Sequence, residues 1–267
     1  MKHGSFRAMC LVLMAGIAVA TAFGDERALV LEAKVMDTFD EGAENPYGPL
    51  EWKIEGSKFS TKKDAAGEDL ESPFPRLLPI KAYPQALVRP GSDTDTSNMR
   101  VLGINSSFTR RGYNWIDVYP EGPDNAEKGI GFDIPGRIRY IDMWVWGSNL
   151  NYSLEAYFRD YNGLVRTVNM GSLAYEGWKN LQVPIPANFP QTRKVLPYLT
   201  PLRFLKFRIW TSPTEIVDQL DPTDPHKKIG VYVYFDNLRI LTDTFEGAYD
   251  GEELADRKTV GDLWSNN

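Results

Sequence analysis

The sequence predicts an all-β protein, an antiparallel β-sandwich of the jelly-roll kind, on three observations. Apolar and polar residues alternate with a period of two in four separate stretches. Pro and Gly punctuate the chain between those stretches, and hardly any helical periodicity is present. Alternation marks strands with one buried face, and many short strands with Pro/Gly turns mark a sandwich rather than a helix-bearing sheet.

The four clearest strands give the expected core. Ile141, Met143 and Val145 alternate with Tyr140, Asp142, Trp144 and Trp146; Leu154 and Phe158 alternate with Glu155, Tyr157 and Arg159. Leu205, Phe207 and Ile209 alternate with Phe204, Lys206, Arg208 and Trp210, and Val231 and Val233 with Tyr232 and Tyr234. A one-residue slip would turn every apolar set outward, so each set is assigned to the inside. Shorter strands are expected at Leu29–Phe39, Leu50–Ile54, Met99–Phe108, Trp115–Tyr119, Ile130–Ile134, Val165–Met170 and Trp178–Ile185. Asn162-Gly163 between two alternating runs predicts a type I′ hairpin turn, since both residues tolerate positive φ. Residues 60–98, with five prolines, and 211–228, with three, read as irregular loops.

The first 22 residues read as an export signal. Lys2, His3 and Arg7 precede an uncharged, mostly apolar run from Ala8 to Ala20, and Ala20-Thr21-Ala22 ends it with small residues. The run is shorter than the roughly 20 apolar residues that span a bilayer. Three segments follow: signal peptide 1–22, sandwich domain 23–242, and an acidic C-terminal tail 243–267. No membrane insertion is expected after cleavage. Cys10 lies in the signal, so the exported chain is expected to hold no disulfide.

Composition excludes several functions. The 30 basic and 36 acidic residues become 28 against 36 without the signal, a net −8. That sign argues against nucleic acid, whose phosphates call for a basic footprint. The exported chain has one histidine, His226, in a Pro-flanked loop, and no cysteine, which leaves neither a Ser–His–acid site nor the usual zinc ligands. Walker, GxGxxG and GxSxG motifs are absent, and no carboxylate pair stands out for a glycosidase. No enzyme and no cofactor are expected.

One acidic set admits a structural calcium. Asp37, Asp40 and Glu41 surround Phe39 near the start of the fold, and Asp236 lies in the last long strand. First and last strands of jelly rolls are often neighbours, so Asp40, Glu41 and Asp236 are the candidate metal ligands; calcium takes six to eight oxygens. The alternative is a bulge at Asp236-Asn237 and a turn at Asp40-Glu41.

The more informative constellation faces outward. Opposite the aliphatic sets lie Trp144, Trp146, Tyr157, Arg159, Arg208, Trp210, Tyr232 and Tyr234, on one sheet surface or two. Trp, Tyr and Arg are the types enriched at binding hot spots. Trp144, Trp146, Tyr157 and Trp210, with Arg159 and Arg208 for charge, form one expected partner surface, and the tail ending in Leu263 and Trp264 a second.

The segments DTFDE (37–41), WKIEGSKFSTKKDA (52–65), LGINSSFTRRGYNWIDVYP (102–120), GIGFDIPGRIRYIDMWVWGSNLNYSLEAYFRDYNG (129–163), GWKNLQVPIP (177–186) and FDNLRIL (235–241) resemble the flagellar filament outer layer, or sheath, proteins of spirochaetes. The middle block is the most specific; DTFDE and FDNLRI also open and close jelly rolls of the galactose/carbohydrate-binding-like type. The resemblance implies a periplasmic structural protein associated with periplasmic flagella. Its implied partners are flagellin-like core filament proteins and other sheath subunits, with a role in motility and no catalytic motif to carry over. The competing expectation is a periplasmic or secreted carbohydrate-binding module, which shares the fold and the aromatic surface.

Overall fold

The structure, a computed structural model, describes residues 31–43, 50–64, 66–91, 93–122, 125–191, 193–195, 198–215 and 230–243, with 261, 264 and 265 near the chain end. The signal peptide, His226 and most of the tail lie outside the described residues.

Period-two alternation drives the strands β1 Leu31–Asp37, β2 Glu51–Gly56, β3 Arg76–Ile80, β4 Val101–Ser106, β5 Trp115–Glu121, β6 Phe132–Asp133 and β7 Arg137–Ser148. The chain continues through β8 Ser153–Arg159, β9 Val165–Ser172, β10 Glu176–Pro184, β11 Arg193–Val195, β12 Tyr198–Thr200, β13 Arg203–Trp210 and β14 Val231–Asp243. The first sheet has the order β10-β7-β14-β4-β3, with β1 also paired to β14. The second has the order β2-β5-β13-β8-β9, with β6 also paired to β13. All these pairings are antiparallel, and the apolar faces of the two sheets pack on each other as a sandwich. First and last strands are neighbours, Leu31 standing opposite Asp243.

Rings join the layers. Trp52 of β2 stacks on Phe207 of β13 at 6.4 Å, and Phe207 meets Phe235 of β14 edge-on at 5.5 Å. All ten expected core residues are buried, and nine belong to the central cluster. Leu205 is the exception. The ladder between β13 and β8 shifts between Phe204 and Lys206, and this irregularity turns Phe204 inward instead. The Phe204 ring lies 4.8 Å from Phe207, 5.2 Å from Phe132 and 5.7 Å from Phe158. Strict alternation through Phe204–Leu205 is therefore corrected: a bulge inserts one residue and resets the faces.

Two further expectations change. The 60–98 segment is not wholly irregular, because β3 crosses it and pairs with β4, Pro79 opposite Leu102. Proline is tolerated there because β3 is an edge strand and needs no N–H on its open side. The Asn162-Gly163 turn is not type I′: Gly163 has φ 83°, whereas Asn162 is not among the residues with positive φ. Asp160 and Leu164 close a three-residue loop instead, ending on a left-handed glycine. Asp160 caps it, its carboxylate accepting from the Asn162 and Leu164 N–H groups and from Arg166 Nε, each at 2.9 Å.

The bulge makes a measurable distinction. Phe204→Ala should destabilise by about 3–5 kcal/mol, the cost of emptying an aromatic core site, and Leu205→Ala by less. Urea melts compare the two; an equal or larger loss at Leu205 would restore strict alternation.

Candidate functional site

The outward residues divide between the two sheets. A strand's alternate residues face opposite sides, and direct cross-strand partners share a side. Trp144, Trp146, Tyr232 and Tyr234 therefore lie on the outer side of the first sheet; Tyr157, Arg208 and Trp210 lie on that of the second. A single surface combining Trp144, Trp146, Tyr157 and Trp210 is corrected accordingly, since the thickness of the sandwich separates its halves.

On the second sheet the surface is an aromatic platform built around one guanidinium. Arg208 Cζ lies 4.7 Å from the Trp115 ring centre, 5.1 Å from Trp210 and 5.4 Å from Tyr157. Beneath it, buried Asp117 accepts from Arg208 Nη2 at 2.6 Å and from Lys206 Nζ at 2.6 Å. Glu155 ties the rim, accepting from Tyr157 Oη at 2.7 Å and from Trp210 Nε1 at 2.8 Å. Burial, with the Glu155 hydrogen bond second, raises the Tyr157 pKa above the ordinary phenol value. Trp115, Asp117, Glu155 and Lys206 were not singled out from sequence. Their pairing appears only once β5, β13 and β8 are in register: Asp117, Arg208 and Glu155 are successive cross-strand partners. Arg159 is not part of the platform. It stands opposite Arg203 near the other end of β8 and donates to the Lys128 carbonyl at 2.8 Å.

On the first sheet Trp146 stacks on Tyr232 at 5.6 Å and meets Tyr234 edge-on at 5.5 Å. Trp144 is half-buried between its partners Asn180 and Asp236, its indole N–H buried without an acceptor. Trp264, described near the chain end, is 82% exposed.

The three proposed metal ligands part company. Asp236 is 4% exposed and lines a cleft of about 160 Å³ with Thr38, Asp40, Tyr83, Leu87, Met99 and Asn237. Asp40 accepts from the Arg100 N–H at 2.9 Å, while Glu41 is turned to the Arg100 guanidinium at 2.6 Å and its side chain is 65% exposed. Glu41 is thus committed to an ion pair, and the set reduces to Asp40 and Asp236, with a buried, unpartnered Asn237 Oδ1 beside them. Among the described residues no group of three or more His, Cys, Asp or Glu is arranged to hold a metal ion. Burial pushes the Asp236 carboxyl up to about 7, aided by the negative Asp40 and Asp37 and opposed by the Asn237 N–H.

The fold and these surfaces define a class: a β-sandwich that presents outward aromatic faces. The model of the family described as Flagellar filament outer layer protein Flaa matches residues 82–247, and the chain belongs to that family. The match takes in the four later resembling segments; DTFDE and WKIEGSKFSTKKDA precede it. A protein of Brachyspira hyodysenteriae described as flagellar filament outer layer-like is 31% identical over 157 residues, 59% of this chain and 64% of that protein. The chain thus spans less than two thirds of that relative. Among solved structures, the family 11 carbohydrate-binding module of Lic26A-Cel5E from Clostridium thermocellum aligns over 80% of this chain and 96% of its own, with TM-score 0.39 and 10% identity. TmCBM61, solved with beta-1,4-galactotriose, aligns over 71% and 86%, with TM-score 0.34 and 11% identity. No helix among the described residues is long and apolar enough to cross a membrane.

The raised Asp236 pKa has a sign. The unfolded carboxyl titrates near 4 and the folded one near 7. Between those values the folded state holds a proton that the unfolded state has lost, so stability falls as pH rises from about 4 to about 7. In metal-free buffer the melting temperature should drop across that range, and Asp236→Asn should flatten the drop. A wild-type melt that is level across the range, or a variant that keeps the slope, contradicts the assignment.

Proposed function

We propose that the chain is a structural, non-catalytic subunit of the outer layer of a periplasmic flagellar filament. On this reading it is exported by residues 1–22 and coats a flagellin-like core beside other sheath subunits, which supports motility. Family membership supports the flagellar association. The observation that carries the finer reading is the pair of aromatic surfaces on opposite outer sides of one sandwich. A coat subunit has to touch the core on one side and its neighbours elsewhere, and in a helical array those contacts join unlike patches. The platform around Arg208 suits such work because its polar atoms are already tied to Asp117 and Glu155. Docking an aromatic partner there orders little that is not already ordered.

We also propose a structural calcium in the cleft, held by Asp40 and Asp236 with oxygens from Thr38 and Asn237. A cation would favour the ionised Asp236 and cancel the penalty of burying it. Added calcium should raise the melting temperature at pH 8, since a ligand binding only the folded state stabilises it. Identical melts in calcium and in chelator remove the proposal.

The sheath reading is tested by filament co-sedimentation. Trp146→Ala and Trp210→Ala probe the two faces separately, with melting curves to confirm the fold. Losing a central aromatic costs about 2 kcal/mol, roughly thirtyfold in affinity. At least one variant should release from filaments to that extent. Wild-type retention of both places the contact elsewhere. If the unmodified chain is held by immobilised glycans and does not sediment with filaments, it is a carbohydrate-binding module instead.

A further inference from the structure

The outer side of the first sheet carries a second feature below the Trp146 cluster. Ala33 stands opposite Leu241, Leu241 opposite Tyr140, and Tyr140 opposite Pro184. These four residues form one line across β1, β14, β7 and β10, so all four side chains point outward together. Leu31 and Val35, two residues to either side of Ala33, extend the line along β1. Leu31 is 44% exposed, Val35 43% and Tyr140 38%, and Ala33 and Pro184 are exposed as well. Single exposed apolar residues are ordinary; a connected row over four strands is the kind of patch that marks an interaction site. Among the described strands β1 pairs with β14 alone, so the row reaches a sheet edge.

The same chain carries a matching anchor. Residues 244–267 follow Asp243, which ends β14 opposite Leu31 at the foot of the row. They hold six acids against two bases and end close to Leu263 and Trp264. The acids keep the segment soluble, and its apolar residues are what gain by burial. Trp264 is 82% exposed, so its own chain does not cover it, and it does not cover the row. The roughly 20 residues between Asp243 and Trp264 span up to about 70 Å when extended, which is ample for reaching a neighbouring molecule.

We propose that the apolar row Leu31–Ala33–Val35, Leu241, Tyr140 and Pro184 is the seat for residues 244–267 of a second copy of this chain, with Trp264 as the anchor. Row and anchor are different surfaces, so the contact is heterologous and each copy keeps one free row and one free anchor for further copies. One indole on a short row makes a weak contact that purified copies form as concentration rises, and simultaneous attachment to a core raises the effective concentration and strengthens it. The inference deepens the sheath reading and rests on it for its purpose, but the contact joins two purified copies and requires no filament.

The test is sedimentation velocity of the purified full chain over a range of concentrations. The wild type should self-associate as concentration rises. Trp264→Ala and Tyr140→Asp should each weaken association roughly tenfold or more, and the double variant should be no weaker than the worse single one, because both changes remove the same contact. Val35→Asp provides a second probe of the row should Tyr140→Asp disturb the fold. Mixing the two single variants should restore association as far as pairs, since one supplies the row and the other the anchor. A wild type that stays monomeric throughout, or a mixture that restores nothing, overturns the proposal. A monomer that still co-sediments with filaments overturns this contact alone; loss of filament binding by the wild type overturns the sheath reading.

Discussion

Strand β14 is the constraint on which the rest of the first sheet depends. It pairs with β7 along most of its length and, on its other side, with β4 in its first half and β1 in its second. Its inward residues Val231, Val233, Phe235, Leu238 and Ile240 all enter the core, so its register fixes which residues of its three neighbouring strands face out. Between Asp236 and Arg239 that register shifts, with Asn237 at φ 47°. The extra residue lets Phe235 and Leu238 both point inward across the interruption. Asp236, opposite Trp144 just before the shift, is buried on the outer side beside Asp40 in a cleft lined also by Tyr83, Leu87 and Met99. The raised Asp236 pKa is a consequence of burial in that cleft, with Asp40 and Asp37 nearby.

The second sheet solves a different problem. Its outer side has charge on the central strand, and buried Asp117 would be costly alone. Two cations from β13, Lys206 and Arg208, share it, and rings from β5, β8 and β13 surround the guanidinium. Such a cluster contributes little net stability, because desolvation offsets attraction. It does fix the orientation of Arg208 and its neighbouring rings, which is what a docking surface requires. The internal aromatic stack through Trp52, Phe207 and Phe235 provides the stiff layer behind it.

Much of this was legible in the sequence, for a physical reason. Where one face of a strand is buried, composition alternates, so the interior of β7, β8, β13 and β14 could be named residue by residue. Places where the ladder is interrupted were not legible. A bulge leaves no compositional trace in Phe204-Leu205, both apolar, and an edge strand such as β3 tolerates the proline that disguises it. The aromatic residues of the outer surfaces were visible, but their division between two sides depends on which strands share a sheet, and alternation within one strand carries no such information. Asp117 and Glu155 were invisible among 36 acids until register placed them on either side of Arg208. Glu41 looked like a cation ligand by proximity to Asp40, and Arg100, sixty residues from Asp40, was its unforeseen partner.

The central claim is that this sandwich forms part of the layer around a flagellar core. Electron microscopy of filaments isolated from cells with and without the protein tests it most directly, through filament diameter. The account predicts thinner filaments, or filaments with bare stretches, when the protein is missing. Filaments of unchanged diameter and surface in its absence would contradict it.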